Sequence, residues 1–281
     1  MFDTHCHLNF GAFDQSIDAV VARAREQGVT EIMIPSTNIE TSNRAVEIAK
    51  RHEGGGLLCA VGIHPHHVFE LKEHSEQIEC DLEIIQSLLS ETVVRAVGEV
   101  GLDRHYYKST KYSAYQIDQE FMKVQILVFR RQVEMAVNNS KSLILHNREA
   151  RDEFLRTLST VWSSKLEGRT VFHCCEPSKQ LLAYATEHNI MIGVDGDVTY
   201  YKEKQDFVRS IPLEMLVLET DAPFLSPEPF RSQPRETRPP NEPANIPLIA
   251  QKIAELTGRS VDEVTRQTTE NAHKLFALTH S

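Results

Sequence analysis

Short apolar segments alternate with amphipathic helical segments along this chain of 281 residues, and this alternation constrains the fold more than any other feature. Eight of the apolar segments have the length and composition of buried strands, and they cover residues 2–6, 32–34, 57–61, 93–97, 143–145, 170–172, 190–194 and 215–218. Repeated alternation of this kind predicts parallel strands joined by helical crossovers. Eight repeats in a chain of this length are typical of an α/β protein with a (β/α)8 TIM barrel. Residues from Ala244 onward are predicted to form additional C-terminal helices.

A doubly wound open sheet is the alternative α/β architecture. It would be favoured by a glycine-rich phosphate-binding loop after the first strand, and no such loop follows residues 2–6. The sequence also contains no internal repeat and no long low-complexity linker. We therefore predict one TIM-barrel domain over residues 1–281, with the proline-rich segment 223–247 as an irregular loop at its mouth.

The composition is that of an ordinary soluble globular protein, with 41% hydrophobic and 25% charged residues. The first residues lack the basic and apolar regions of a signal peptide, and no apolar run is long enough to cross a membrane. We therefore expect a cytoplasmic protein without a membrane partner. Five cysteines, an odd number without regular spacing, argue against a disulfide-linked secreted domain.

The formal charge of −10 argues against a protein that binds duplex nucleic acid through a broad basic face. A cluster of metal-binding carboxylates would make part of this charge local, and bound divalent ions would reverse it there. A hydrolase also needs to hold its substrate only transiently. The charge therefore disfavours a nucleic-acid partner mildly and does not exclude one.

The first predicted strand carries two histidines at its end. Because side chains alternate between the two faces of a strand, His5 and His7 would point to the same side, and Cys6 would face the surrounding helices. Two imidazoles on one face can bind a single divalent metal ion. Such a pair is also found as two ordinary polar residues where a strand becomes a loop. The metal interpretation therefore depends on further ligands at the ends of later strands.

Side chains that can bind metals follow several other predicted strands. They are His64 after the third strand, Glu99 and Asp103 after the fourth, His146 after the fifth, His173 after the sixth, and Glu219 and Asp221 after the eighth. In a (β/α)8 barrel the carboxyl ends of all strands meet on one face, which is where active sites lie. A lone histidine or acid in such a place is usually an ordinary polar residue, but so many on one rim predict a site. Four histidines and two carboxylates are enough for two metals that share a bridging ligand.

Taken together, these residues resemble the TatD family of metal-dependent hydrolases and DNases. The motifs that carry the resemblance are His5-x-His7, Gly62-Ile63-His64-Pro65-His66, Gly98-Glu99-Val100-Gly101-Leu102-Asp103, Leu145-His146-x-Arg148, Phe172-His173-Cys174, Glu219-Thr220-Asp221 and Asn241-Glu242-Pro243. They extend from the first residues to the terminal helices. The resemblance implies a TIM-barrel hydrolase of the amidohydrolase type, with a two-metal centre that cleaves phosphodiester bonds, usually of DNA.

The resemblance also implies six metal ligands. They are His5, His7 and Asp221 on one ion, His146 and His173 on the other, and Glu99 as the bridge between both. A bridging carboxylate sets two metals about 3.5–4 Å apart, where they can clamp the attacking and leaving oxygens of an in-line displacement. Asp221 would orient the attacking water or accept its proton, and Glu219 would act beside it as a base or an orienting residue.

His64 and Arg148 are the predicted substrate-binding residues. His64 is expected to contact the phosphate or to hold a ligand in place, and Arg148 to pair with a phosphate oxygen. For these two and for Glu219, a purely structural role fits the sequence equally well. We interpret Asp3 and Asp103 as residues that support a metal ligand or cap a helix.

Two divalent metal ions are the expected cofactors. Ligation rich in imidazole favours Zn or Mn over Mg, which prefers oxygen ligands and several waters. The TatD family, however, is commonly described as Mg-dependent in its DNase reactions. The sequence therefore leaves Zn, Mn and Mg open.

Two loops depart from the family pattern. Cys175-Glu176-Pro177 stands where Phe-Ser-Gly is common, and residues 195–200 replace a segment that is often rich in Ser and Gly. Both loops border the predicted pocket, and their acids would repel a polyanion unless a metal, Lys202 or Lys204 offset them. Four tyrosines are expected either to stack on unpaired bases or to pack half-buried at the rim: Tyr106, Tyr107, Tyr200 and Tyr201.

Three functions fit this sequence. The first is a metal-dependent deoxyribonuclease, in one version a 3'-5' exonuclease on single-stranded DNA. The second is an amidohydrolase-type hydrolase of a small cyclic amide, lactone or phosphoester, and the third is a non-catalytic metal-binding barrel. The bridging lysine of many amidohydrolases is absent because Glu99 takes that role, which favours the nuclease, and the complete ligand set argues against the third function. DNA is therefore the expected partner, and no residue pattern specifies an oligomeric state.

Overall fold

A computed structural model of the protein describes residues 1–72, 75–112, 115–234 and 236–278. Its eight strands form one parallel sheet in chain order. They are β1 Phe2–Asp3, β2 Glu31–Ile34, β3 Leu57–Val61, β4 Val94–Asp103, β5 Ser142–Arg148, β6 Thr170–Phe172, β7 Met191–Val194 and β8 Leu216–Leu218. The sheet returns on itself, since Thr4 N donates to Leu218 O (2.9 Å) and His7 N donates to Ala222 O (2.8 Å). The predicted (β/α)8 barrel is confirmed, and the open-sheet alternative is excluded.

A helix lies between each pair of consecutive strands, and two more follow β8. The helices are α1 Ile17–Glu26, α2 Ile39–Arg51, α3 Ser75–Leu88, α4 Gln119–Asn138, α5 Arg151–Val161, α6 Lys179–Glu187, α7 Lys202–Val208, α8 Ile246–Thr257 and α9 Val261–Leu275. Side-chain caps begin several of them: Asp118 accepts from Phe121 N at α4, and Ser260 accepts from Glu263 N at α9. Among the described residues, no helix combines the length and the hydrophobicity that a membrane span requires.

The predicted first strand is longer than the one observed. The prediction extends over residues 2–6, whereas β1 ends at Asp3. The regular pairing stops because His5 N donates to the Asp3 carboxylate (3.2 Å) instead of to a neighbouring strand. Cys6 still bonds to β2 through Met33 O (3.0 Å), and its side chain is fully buried in the layer between sheet and helices, as predicted.

The interior of the barrel is filled by one buried side chain from each strand. These are Phe2, Met33, Ala60, Ala96, Ile144, Val171, Met191 and Val217. Helix α9 closes the amino end of the barrel, where Leu275 and Phe276 join the same cluster. Two hydrogen bonds fix this helix to strand starts: Ser142 Oγ donates to Leu275 O (2.5 Å), and Asn271 Nδ2 donates to Leu216 O (2.8 Å). The amino end is thus packed for stability, and the carboxyl end is left for the polar residues.

Replacing Phe276 with alanine should lower the free energy of unfolding by about 3–5 kcal/mol, because its buried ring packs against that of Phe2 with centroids 5.5 Å apart. Val261→Ala, at a 42% exposed position on α9, should change it by no more than about 0.5 kcal/mol. Urea unfolding of both variants measures the difference. Equal losses of stability would show that Phe276 does not help to close the barrel.

Candidate metal centre

Four side chains from β4 and from the segments that follow β1 and β8 converge at the carboxyl face of the barrel. His5 Nε2 and His7 Nε2 lie 3.3 Å apart. Glu99 Oε2 lies 3.5 Å from the first of these nitrogens and 3.8 Å from the second. Asp221 Oδ1 is 3.8 Å from His5 Nε2 and 3.5 Å from His7 Nε2. Two imidazole nitrogens and two carboxylate oxygens therefore surround one point.

The other oxygen of Glu99 faces a second set of imidazoles. Glu99 Oε1 lies 2.7 Å from His146 Nδ1, 3.6 Å from His64 Nε2 and 3.8 Å from His173 Nε2. His173 Nε2 is also 3.8 Å from Asp221 Oδ1, and the ring of His173 stacks on that of His5 with centroids 3.4 Å apart. Glu99 thus has one oxygen toward each set, which is the arrangement that a bridging carboxylate requires.

A break in the β4–β5 pairing aims Glu99 at this point. The register shifts between Val97 and Val100, so that neither Gly98 nor Glu99 has a partner in β5. Their backbones bond instead to the residue after Pro35: Ser36 N donates to Gly98 O (3.2 Å), and Glu99 N donates to Ser36 O (2.8 Å). Irregularities of this kind re-aim a side chain next to a site.

Two further carboxylates contact the outer nitrogens of the second imidazole set. Asp103 Oδ2 lies 3.1 Å from His146 Nε2 and accepts from Tyr107 Oη (2.7 Å). Glu219 Oε1 lies 3.0 Å from His173 Nδ1. Such contacts fix the orientation of each ring and select the nitrogen that faces the centre. Asp103 therefore supports a histidine and does not cap a helix.

Asp3 ties the ends of β1 and β8 together. Its carboxylate accepts from Thr220 N (2.9 Å) and from Thr220 Oγ1 (2.6 Å), while Asp221 N donates to His5 O (2.9 Å). Asp221 itself has φ 50, in the left-handed region that non-glycine residues seldom occupy. This conformation persists because the neighbouring contacts hold the backbone on both sides.

The charges of the centre depend on contacts among buried groups. Burial raises the pKa of Glu99, but the nearby imidazoles of His64 and His173 outweigh it and hold this pKa well below its usual value. Burial, together with the positive charge of the neighbouring His173 ring, lowers the pKa of His5 well below its usual value. Burial also lowers the pKa of His173. The carboxylates of Glu219 and Glu99 outweigh this effect and raise the pKa of His173 to about 10.

The donor set fits a divalent cation. Among the described residues, Glu99 and Asp221 pair only with imidazoles, and neither contacts a lysine or an arginine. Imidazole nitrogens and carboxylate oxygens are the usual ligands of zinc and related ions. Protons on His146 and His173 would compete with an ion, because a ligand must be deprotonated to bind metal.

The described potential ligands form three groups whose donor atoms lie within 4.8 Å of one another: His5 with His173 and Asp221, His5 with His7 and Glu99, and His64 with Asp103 and His146. Together with the contact between His146 and Glu99, these groups place Glu99 and the other five predicted ligands in one cluster. His146 groups with His64 and Asp103, and His173 groups with His5. None of these three groups contains both His146 and His173, so the placement of these two residues on one ion stays a prediction.

The two predicted substrate-binding residues lie in different places. His64 is inside the centre, with its ring centroid 4.3 Å from that of His146. Arg148 is exposed at the rim, where its guanidinium lies over the ring of Tyr107 (5.4 Å) and donates to Tyr107 Oη (3.4 Å). The structure thus brings His64 to the other site residues and leaves Arg148 outside them.

Lys204 offsets the acids of the divergent loop, and Lys202 does not. Lys204 is buried, with Nζ 3.5 Å from Asp195 Oδ2 and 3.5 Å from Asp197 Oδ1, and it donates to Cys175 O (2.9 Å). Burial and the negative charge of Asp195 raise the pKa of Asp197 above its usual value. Lys202 is exposed and pairs with Asp206 instead.

Comparison with known proteins identifies the family. Residues 2–277 match the family model described as TatD related DNase. The chain belongs to the TatD family. The predicted TatD resemblance is confirmed, and with it a metal-dependent hydrolase that acts on ester bonds.

Relatives match this chain over its whole length. The 3'-5' ssDNA/RNA exonuclease TatD of Erwinia amylovora is 34% identical over 281 residues, which are 99% of this chain and 100% of the relative. The "Uncharacterized metal-dependent hydrolase YabD" of Bacillus subtilis is 31% identical over 280 residues, which are 99% of both chains. The crystal structure of YJJV, a TatD homolog from Escherichia coli K12, has a TM-score of 0.82 at 29% identity and covers 99% of this chain and 98% of its own.

Replacing Lys204 with methionine should lower the free energy of unfolding by about 3–5 kcal/mol, because it leaves the Asp195 carboxylate buried without a cation. Lys202→Met on the same helix should change it by less than about 1 kcal/mol, since that side chain is 70% exposed. Urea unfolding of the two variants tests this contrast. A loss in Lys204→Met no larger than in Lys202→Met would contradict the ion-pair account.

Proposed function

We propose that this TatD-family hydrolase is a nuclease that cleaves the phosphodiester bonds of single-stranded nucleic acid, with DNA as the first substrate and 3'-5' exonuclease action. The observation that carries the proposal is the placement of Glu99, whose two carboxylate oxygens face two different sets of imidazoles. This arrangement suits a centre that binds two divalent ions. In the proposal the whole chain, residues 1–281, acts as one catalytic domain.

The proposed metal ligands are Glu99 and the five residues that meet around it. His5, His7 and Asp221 would hold one ion, His146 and His173 the other, with Glu99 between them. When bound, two divalent ions activate a water and neutralise charge on the phosphate oxygens. His64, 3.6 Å from Glu99 Oε1, is close enough to this point to contact a substrate phosphate.

Proton transfer is assigned to Asp221. Its Oδ1 lies at the centre of the cluster, and its side chain keeps 15% exposure, so a water can reach it. The hydrogen bond from Asp221 N to His5 O holds this residue beside the cluster, and a proton acceptor must lie within hydrogen-bond reach of the proton it removes. Glu219 is almost fully buried behind His173, so in the proposal it orients that ring and does not contact the substrate.

Relatives support nucleic acid over a small molecule as the substrate. Several that are 31–34% identical over nearly the full chain are named 3'-5' ssDNA/RNA exonuclease TatD. The structural neighbours named for organophosphorus or lactone hydrolysis are only 12–15% identical, and such a likeness shows the fold alone. The cytoplasmic location and the choice among Zn, Mn and Mg stay predictions.

Metal-loaded wild-type protein should shorten 5'-labelled single-stranded DNA from its 3' end. Asp221→Asn should lower kcat by about 10²- to 10⁴-fold, because the proton acceptor is lost. Glu149→Gln is the matched control, since this exposed acid lies near the same rim and pairs with His105. The products are followed by gel electrophoresis with Zn²⁺, Mn²⁺ and Mg²⁺ in turn.

Two results would refute this assignment. One is a wild-type protein that releases no nucleotides from DNA or RNA with any of these metals. The other is an Asp221→Asn variant that cleaves as fast as the wild type while the Glu149→Gln control behaves normally.

A further inference from the structure

The large hydrophobic side chains that stay exposed in the described part of the chain separate by chemistry and by place. The aliphatic ones lie on the outer helices α3, α4 and α9: Ile84, Leu127 and Val261. The aromatic ones all lie on loops that follow β4, β7 and β8: Tyr106, Tyr200, Tyr201 and Phe224. Scattered apolar side chains need no explanation, but aromatic rings collected on the face that bears the candidate metal centre indicate a binding surface.

Phe224 is the exposed ring that borders the metal centre directly. It is 51% exposed and lies three residues after Asp221. Its centroid is 6.4 Å from that of His7 and 6.2 Å from that of Phe10, with an edge-to-face geometry in both cases. Phe10 in turn stacks on His7 at 4.2 Å. The three rings form a continuous aromatic wall along one side of the ligand cluster.

The backbone holds Phe224 in a fixed position. Its N–H donates to Asp221 O (2.8 Å), and its carbonyl accepts from Asn241 Nδ2 (2.7 Å). The same Asn241 amide donates to Thr220 O (2.9 Å), so one side chain links the backbone of Phe224 to the segment after β8. Because the backbone is fixed and the side chain has only two torsions, the ring loses little conformational entropy when it binds a partner.

The chemistry around Phe224 selects a flat, uncharged partner. Arg148 covers the ring of Tyr107 and Arg231 covers that of Tyr200, but Phe224 takes part in none of the cation–π pairs of the described residues. A bare aromatic ring beside a phosphate-cleaving centre offers dispersion and stacking and no charge for an anion. A nucleobase presents the matching surface, because every base has an exposed π-face when it is unpaired.

We propose that Phe224 is a specificity-determining residue that stacks on the nucleobase next to the cleaved phosphodiester. The inference rests on the proposed function and deepens it. Inside a duplex both faces of a base are covered by its neighbours, so a stacking site of this kind accepts single strands or frayed ends. Because stacking does not read hydrogen-bond patterns, the site tolerates all bases.

The test measures binding and cleavage separately. Metal-loaded protein is titrated with a fluorescent, cleavage-resistant phosphorothioate strand, and with the same strand carrying abasic sugars at its 3' end. Phe224→Ala should raise the Kd for the normal strand by about 5- to 150-fold, the range measured for single base–aromatic contacts. Phe224→Trp should bind the normal strand about as tightly as wild type does. Phe224→Leu, which is apolar but not aromatic, should bind it as weakly as Phe224→Ala does.

The abasic strand makes the test specific to stacking. Wild type should bind it as weakly as Phe224→Ala binds the normal strand, and Phe224→Ala should lose nothing further on it. Leu127→Ala, at a 48% exposed position on α4, is the control and should bind both strands like the wild type. In cleavage of an unmodified strand, Phe224→Ala should raise KM and leave kcat nearly unchanged.

Equal Kd values for Phe224→Ala and wild type would overturn the proposal, and so would an equal penalty from the abasic sugars in both proteins. Full recovery by Phe224→Leu would overturn it as well, because it would show that bulk and not aromaticity matters. If wild type binds through Phe224 but releases no nucleotides, the proposed nuclease function fails and the stacking site stands.

Discussion

The buried carboxylate of Glu99 is the group on which the rest of this structure depends. It is 4% exposed and has no lysine or arginine partner among the described residues. Removing a carboxylate from water costs several kcal/mol unless favourable contacts replace the lost hydration. Here the replacement comes from imidazoles that surround both of its oxygens, and they stand at the ends of four different strands: His5, His7, His64, His146 and His173. Only a sheet that closes on itself brings these strand ends together.

The amino end of the barrel contributes mainly to stability, and the carboxyl end carries the polar residues of the site. At the amino end, α9 and the side chains inside the barrel form an apolar layer. At the carboxyl end, buried polar groups hold one another: Asp3 binds Thr220, Asp103 contacts His146, and Glu219 contacts His173. A polar network of this kind is rigid only when its members are paired. The apolar packing at the amino end supplies stability, which lets the carboxyl end remain polar.

Much of the fold and of the site is predictable from local sequence. Apolar runs of strand length predict the place of all eight strands. However, β4 and β5 extend beyond the predicted runs 93–97 and 143–145, so Glu99, Asp103 and His146 lie within strands and not after them. The exceptions follow from long-range contacts. Glu99 is aimed by a register break against Ser36, and the grouping of His146 with His64 depends on how β3 and β5 lie in space.

Residues that act through distant partners leave little signal in the local sequence. Lys204 is buried among two acids and a carbonyl, whereas Lys202 is exposed. The two lysines have the same charge and lie two positions apart, so the local sequence does not show which one is buried. Phe224 gave one signal, an aromatic residue shortly after the predicted ligand Asp221. Its relation to Phe10 and His7, more than two hundred residues earlier in the chain, appears only when the barrel closes.

The metal content of the purified protein tests the central claim most directly. Wild type dialysed against limiting free metal and analysed by elemental mass spectrometry should retain about two divalent ions per chain. Glu99→Ala should retain one ion or none, while the Glu149→Gln control keeps both. A wild type that saturates at one ion, or a Glu99→Ala variant that still holds two with unchanged affinity, would contradict the account of Glu99 as the bridging ligand.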